Sequence, residues 1–272
     1  MTTTKPPRAT PPRAAQSGAT QSRAAKRRLD VLLVERGLAA SREQAQALIL
    51  AREVLVDGVA ATRPAVPVAD DVPIEVRGAS QYASRGGEKL RSAIERTPIT
   101  ADGKRCLDVG ASTGGFTDYL LQHGATHVVA VDVGYGQIIP RLRDDPRVEV
   151  RERTNARTMP PLETPVELVT IDVSFISLTM VLPTVIASLA PGGEVFALVK
   201  PQFEAGREEV TKGGVVRDER VHASCIARVA LWCIEHGLRV RGVVRSGLIG
   251  PAGNREFFLW LQRPETTEEG AA

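Results

Sequence analysis

Cysteine is nearly absent from this sequence, and the little there is excludes a disulfide framework. Cys106, Cys225 and Cys233 form no Cys-x-x-Cys pair and are odd in number, a usage that points to reduced, buried thiols in a cytoplasmic protein. Four scattered histidines, no two of them at ligand spacing, give no metal site. Long apolar runs are missing too. The longest, near Leu178–Ala190, is too short to span a bilayer and contains Pro183, so no stable membrane association is expected. The opening residues are Thr, Pro, Ala, Ser and Arg without the apolar stretch of a secretory signal. Acidic residues are absent from residues 1–28, which hold seven Lys or Arg. The formal charge of +3 belongs to that segment, because the remainder carries 28 basic against 32 acidic residues. Global charge is therefore no evidence that the folded part binds nucleic acid, although the tail has the composition for salt-sensitive phosphate contacts.

What is present divides the chain into pieces. Residues 1–26 read as a disordered basic tail, low in complexity and rich in proline. From Arg28 the texture changes: Leu29, Leu32, Leu33 and Leu38 recur at helical spacing, and Gly37 sits where a helix ends. Ser41 with Gln44 forms a capping box for a second helix whose apolar face is Ala45, Leu48 and Ile49. Val54–Val56, the turn Asp57-Gly58 and the return Val59-Ala60 read as a hairpin, with further extended structure up to Val76. This makes a small module over residues 27–77, close to the lower size limit for independent folding. Residues 78–84 are a polar linker, and Ser84 is an N-cap for a helix over 85–95. Residues 85–263 form a second, larger unit and 264–272 a second disordered tail.

In the larger unit, strands are expected at 105–109, 127–133, 148–151, 167–171 and 194–199, alternating with helices. The first, fourth and fifth are apolar on both faces, as buried parallel strands must be. The runs 239–245 and 255–261 are close together with no helix between them, which indicates an antiparallel pair at the sheet edge. The most informative stretch follows the first strand. Asp108-Val109-Gly110-Ala111-Ser112-Thr113-Gly114-Gly115-Phe116 is a glycine-rich turn between a strand and a helix, the place where open α/β sheets hold nucleotide cofactors. Ser112 stands where a dinucleotide site wants its second glycine. Asp108 would repel a pyrophosphate but suits the cationic amino acid end of S-adenosylmethionine. The run resembles the first motif of S-adenosylmethionine-dependent methyltransferases; a dinucleotide site and an unliganded turn stay open as alternatives.

Other candidates sit at strand ends. Asp132 closes the second strand, where a carboxylate accepts hydrogen bonds from ribose hydroxyls. Asn155, after the third, either reaches an adenine edge or caps its own loop. Asp172 follows the fourth strand, on the substrate edge. The Pro-Pro-aromatic run of adenine-N6 methyltransferases is replaced there by Val173-Ser174, and no cysteine is placed to attack a base. Lys200 closes the fifth apolar strand, where desolvation makes the neutral amine accessible as a general base. Glu256 opens the last strand and Lys89 lies on the helix entering the unit. Singly, each of these has a bland reading as a solvated or edge-strand charge.

The order Lys89, Asp172, Lys200, Glu256 is similar to the catalytic tetrad of FtsJ-type ribose 2′-O-methyltransferases. Residues 27–76 resemble the S4 RNA-binding domain, in Arg28-Leu29-Asp30, Gly37, Ser41-Arg42-Glu43-Gln44-Ala45 and Val54-Leu55-Val56-Asp57-Gly58. With Ser84–Leu90, Asp132–Gln137, Arg153–Arg157 and Ser174–Leu178, the arrangement over roughly residues 27–262 resembles the TlyA family. That resemblance implies a Rossmann-like S-adenosylmethionine-dependent methyltransferase fold behind a small α+β S4 domain. It also implies methylation of a cytidine ribose 2′-hydroxyl in ribosomal RNA, with ribosomal RNA or ribosomal subunits as partner. Lys89, Asp172, Lys200 and Glu256 would be catalytic, with Lys200 as base. Asp108, Gly110, Ser112, Gly114, Gly115, Asp132 and Asn155 would hold the cofactor. Arg28, Arg36, Ser41, Arg42, Gln44 and Arg52 would lie on or near the RNA-facing surface, although residues 27–58 hold five arginines against five acids. With no aromatics in this module to stack on bases, phosphate and shape contacts are expected. Two other functions stay open: an RNA-binding protein with an inactive transferase unit, and a membrane-active haemolysin, after the family's historical label.

Overall fold

A computed structural model describes residues 26–39, 41–50, 52–76, 81–250 and 252–265. The expected tails at 1–25 and 266–272, and residues 78–80 of the linker, lie outside the described residues. The chain divides into two compact units, Met1–Arg77 and Gly78–Ala272.

The first unit begins one residue inside the expected tail. β1 (Lys26–Arg28) pairs antiparallel with β4 (Pro67–Ala69), so Lys26 belongs to the fold. Polar and only three residues long, this strand has no apolar alternation by which to read it. α1 (Leu29–Glu35) and α2 (Arg42–Leu50) follow. Ser41 Oγ accepts the Gln44 amide at 3.2 Å, the expected N-cap bond. β2 (Val54–Val56), β3 (Val59–Ala60) and β5 (Ile74–Val76) form a sheet in the order β3-β2-β5. Leu29, Leu33, Ala45, Ile49 and Val54 are fully buried and make its core.

The second unit is a three-layer α/β sandwich. Its elements are α3 (Arg85–Ile94), β6 (Arg105–Val109), α4 (Gly115–Gln122), β7 (His127–Val131), α5 (Pro140–Arg143), β8 (Val148–Arg151), β9 (Val166–Ile171), α6 (Leu182–Ser188), β10 (Leu189–Val199), α7 (Pro201–Glu204), α8 (Glu219–Glu235), β11 (Arg239–Arg245) and β12 (Phe257–Gln262). The sheet order is β11-β12-β10-β9-β6-β7-β8. β10, β9, β6, β7 and β8 are mutually parallel, while β12 runs antiparallel to both its neighbours. The late pair is therefore antiparallel as expected, with β12 inserted between β10 and β11. One face of the sheet packs under α3 and α4 through Leu90, Ala93, Leu120 and Cys106. The other packs under α6 and α8 through Val185, Val229, Leu107 and Val109.

The three cysteines are free and buried, and burial pushes the Cys106 and Cys233 thiols up to about 12, where no reactive thiolate forms. Among the described residues no helix is long and apolar enough to cross a membrane, and no group of three or more His, Cys, Asp or Glu is placed to hold a metal ion.

Candidate active site

Parallel strands deliver their carboxyl ends to one edge of the sheet, and four ionisable side chains gather there. Asp172 follows β9, its amide donating to Val109 O at 2.9 Å. Lys200 follows β10. Because β12 is antiparallel, its first residue lies beside the last of β10, with Phe257 opposite Val199, so Glu256 arrives at the same edge. Lys89 comes from above on α3. Ser84 caps that helix by accepting the Gly86 amide at 3.3 Å, and a Cβ on Gly115 would collide with Ser84 Oγ. This close seating of α3 on α4 brings Lys89 down to the sheet.

The four form two ion pairs. Lys200 Nζ lies 2.5 Å from Asp172 Oδ1 and Lys89 Nζ 2.6 Å from Glu256 Oε2. Lys89, Lys200 and Glu256 are all buried, and Asp172 is intermediate. The helix-face lysine and the edge-strand glutamate are thus neither solvated nor idle. Buried unlike charges at this distance hold each other in place, and removing one strands the other without a counter-charge. Lys200 also donates to Ser174 Oγ at 2.9 Å.

Two cavities open at this edge. One, of about 280 Å³, is lined by Gly86, Lys89, Gly110, Phe116, Asp172 and Ile249 among others. The second, of about 390 Å³, is lined by Ser112, Asp132, Asn155, Asp172, Ser174 and Phe175 among others. Gly110, Ser112 and Asp172 line both, so a molecule in the larger cavity reaches the wall of the smaller one. Gly110 makes that junction narrow. Its φ is +87°, and a Cβ there would stand 2.5 Å from the Asp172 carbonyl oxygen. Only glycine meets both demands.

The Asp132 carboxylate is aimed by backbone, accepting from Ser112 N at 2.8 Å and Gly134 N at 2.7 Å. Ser112 itself has φ +48°, a turn geometry that points its amide at the acid. Asn155 makes the expected loop-capping bond, its Oδ1 accepting the Arg157 amide at 3.0 Å, and it also lines the larger cavity. A cavity of about 390 Å³ lined by Ser112, Asp132 and Asn155, with the carboxylate held in place by two amides, fits an adenosyl cofactor.

Two assignments need correcting. Asp108 lines neither cavity. Alternation along β6 turns it towards α4, where it is fully buried and accepts hydrogen bonds from Thr117 Oγ1 at 2.7 Å and Thr170 Oγ1 at 3.1 Å. It braces the turn from beneath. Gly114 is also outside both cavities: with φ +97° it is the N-cap of α4, and a Cβ would collide with Leu142. Its role is the bend, while Gly115 lines the smaller cavity.

Burial raises the Asp108 carboxyl to about 7, against the opposing pull of the two threonine hydroxyls. An unfolded aspartate titrates near 3.9, so between about pH 4 and 7 the native state holds a proton that the unfolded state has lost. Stability should fall by at most about 4 kcal/mol across that window and level off above it. Asp108→Asn should flatten this slope, as urea unfolding midpoints measured from pH 4.5 to 7.5 would register.

In the first unit all six predicted RNA-facing residues are exposed, but they are not equally available. Arg36 Nη1 donates to Val72 O at 2.7 Å and its Nη2 to Asp70 O, so it ties down the loop before β5. Arg28 and Arg42 converge on Asp30, whose carboxylate is fully buried and also accepts from Gln46 Nε2 at 3.1 Å. Both guanidiniums stay about half exposed, at 47% and 51%. Arg52 has φ +60° and is the turn residue after α2.

Sequence reasoning missed Asp30, counting it among charges that cancel the arginines, and it passed over Ser174 as a candidate. Residues i and i+2 of an extended segment share a face, so Ser174 was findable as the companion of Asp172.

Residues 82–263 match the model of the FtsJ-like methyltransferase family and residues 27–72 that of the S4 domain. The chain is 49% identical to the 16S/23S rRNA (cytidine-2'-O)-methyltransferase TlyA of Mycobacterium tuberculosis, over 88% of this chain and 91% of that protein. It is 41% identical to Hemolysin A of Brachyspira hyodysenteriae, over 85% of this chain and 97% of that protein. Among solved structures, a putative hemolysin from Streptococcus thermophilus superposes with a TM-score of 0.71 at 39% identity, covering 88% of this chain and 89% of that one.

Proposed function

The chain belongs to the TlyA family of FtsJ-like methyltransferases, and from that membership we propose that it methylates a cytidine ribose 2′-hydroxyl of ribosomal RNA. The observation that carries this reading is the pair of lysine–carboxylate contacts at the sheet edge, where Asp172 lines both cavities, Lys89 lines the smaller, and Lys200 and Glu256 stand behind them outside either lining. A ribose hydroxyl is a poor nucleophile at neutral pH and needs a positioned base. Lys200 takes that proton. Asp172 holds the Lys200 nitrogen in place and bears the charge that the amine acquires. Lys89, held by its ion pair with Glu256, orients the hydroxyl and stabilises negative charge as it develops on the oxygen.

The cofactor is S-adenosylmethionine, which supplies an electrophilic methyl group, so the protein needs no nucleophile of its own. Asp132 binds the ribose hydroxyls and Asn155 lies at the adenine side. Gly110 and Ser112 admit the cofactor to within reach of the lysine pairs, where the orientation of hydroxyl and methyl in line is the larger part of the catalysis. Arg28 and Arg42 are the RNA-facing charges of the S4 unit, contacting phosphates in a salt-dependent way. The protein acts in the cytoplasm, on ribosomal subunits.

The test is a map of ribose methylation in ribosomal RNA from cells with and without this protein, paired with calorimetric binding of S-adenosylmethionine. A cytidine methylated only when the protein is present is the expected result. Identical maps, or a protein that does not bind the cofactor, would overturn the reading in favour of an RNA-binding protein.

A further inference from the structure

The nitrogen of Lys200 is held by two acceptors, and only one of them is an acid. Its amine lies 2.5 Å from Asp172 Oδ1 and donates to Ser174 Oγ at 2.9 Å. A tetrahedral amine has three directions besides its own carbon; the hydrogen bond to Ser174 fixes one and the ion-pair contact with Asp172 crowds a second, which leaves one direction over. We propose that Ser174 is a positioning residue for the proton transfer, fixing Lys200 so that this third direction, and with it the lone pair of the neutral amine, meets the ribose hydroxyl. The inference rests on Lys200 being the base.

The surroundings favour a fixed hydroxyl at this position. Asp172 and Ser174 both line the larger cavity, so the side of the amine they hold is the side nearest the cofactor cleft. The backbone carrying Ser174 is pinned at both ends. Ahead of it, the Asp172 amide is bonded to Val109 O and its carbonyl lies against Gly110. Behind it, Glu204 accepts from Ser177 Oγ at 2.7 Å and Leu178 N at 2.8 Å. Between the two anchors Phe175 takes φ +64°, a strained conformation for an aromatic residue and one that marks a constrained site.

The chemistry favours a hydroxyl over a second acid. A second carboxylate would favour the ammonium form, which has no lone pair to offer. A hydroxyl accepts an N–H without adding charge, so it directs the amine and leaves it able to react. In the transfer, the proton moves from the hydroxyl oxygen to the Lys200 lone pair, the amine becomes an ammonium, and the oxygen keeps the bonding pair.

The experiment uses the full chain, salt-washed ribosomal subunits from cells lacking the protein, and labelled S-adenosylmethionine. Ser174→Ala should lower kcat on the order of ten- to a hundredfold, the cost of a misdirected reacting group. KM for the subunits, cofactor affinity and thermal midpoint should stay within about twofold or a degree or two of the parent. The deficit should persist when the pH is raised to the plateau of the rate profile, because direction and not protonation has been lost. Ser174→Thr, which restores the hydroxyl, should recover most of the rate.

Parental kcat in Ser174→Ala would overturn the inference, as would a deficit that vanishes at high pH or one that merely tracks weaker cofactor binding. Lys200→Ala, assayed in parallel, separates the two readings. If it still turns over, the base assignment has failed. If it is inactive while Ser174→Ala runs at the parental rate, only the role of Ser174 has failed.

Discussion

Lys200→Ala is expected to abolish methyl transfer, with kcat down by about a thousandfold or more, while S-adenosylmethionine still binds. General-base catalysis contributes about 10²–10⁴, and in this site the base also orients a carboxylate. Cofactor affinity should change little, because the residues assigned to the cofactor, Asp132 and Asn155, make their recorded hydrogen bonds with backbone amides and not with Lys200. Lys200→Arg makes the more searching comparison. It keeps the positive charge beside Asp172, but a guanidinium does not deprotonate in the working range. If Lys200 acts as a base, the arginine protein is as inactive as the alanine one. If its charge alone matters, the arginine protein recovers. Single-turnover assays with labelled cofactor, together with calorimetric binding, decide between these outcomes.

The second large effect is expected in the first unit. Asp30→Ala removes a fully buried carboxylate that accepts from Arg28, Arg42 and Gln46. Both guanidiniums are half exposed and water takes them up, so the loss is that of charged hydrogen bonds, about 2–3 kcal/mol, against the roughly 3–5 kcal/mol that a core of this size supplies. The unit should therefore unfold or come close to it. Hydrogen exchange on the full chain should show α1 and α2 losing protection while β6, β7 and β9 keep theirs, and affinity for ribosomal subunits should drop with it.

The parent protein should show the same dependence in acid. The Arg28 guanidinium, ahead of Gln46 and Arg42, holds the Asp30 carboxyl well below the usual carboxylate range. Its contribution is complete above the unfolded value near 3.9 and is lost as pH falls below that value towards the depressed native one. Arg28 and Arg42, two of the four arginines expected to face RNA, are thus supported from behind by one acid, which sets their position without covering them.

These two cases show where the sequence was legible. Periodicity and punctuation located the elements: the capping serines at 41 and 84, the turn at Asp57-Gly58, and the apolar runs at 105–109 and 167–171 all lie where they were expected. Local rules sufficed because those features are local. β1 escaped notice because three basic residues make no pattern, and the start of β10 because Pro191-Gly192-Gly193 reads as a turn although the strand runs Leu189–Val199.

In the site, the four residues that the resemblance implied gather at one edge of the sheet, but their pairing was not legible in the sequence. That Lys89 meets Glu256 and Lys200 meets Asp172 depends on strand order and on the direction of β12. Asp108 was misassigned for a related reason. A carboxylate at a strand end faces either the crevice or the interior according to alternation within the sheet, and two threonines, Thr117 and Thr170, claim it for the interior.

The insertion of β12 between β10 and β11 bears on how this protein comes into being. Lys89 enters the second unit near its beginning, and its counter-ion Glu256 comes only with the last strand of the described sheet. Until that final strand slots into the gap, the growing chain has a lysine with nothing to neutralise it and a central sheet missing a member. Premature termination anywhere before Phe257 would leave a cofactor crevice largely built but no working chemistry beside it. The pairing of Lys89 with its counter-charge therefore waits on the docking of β12.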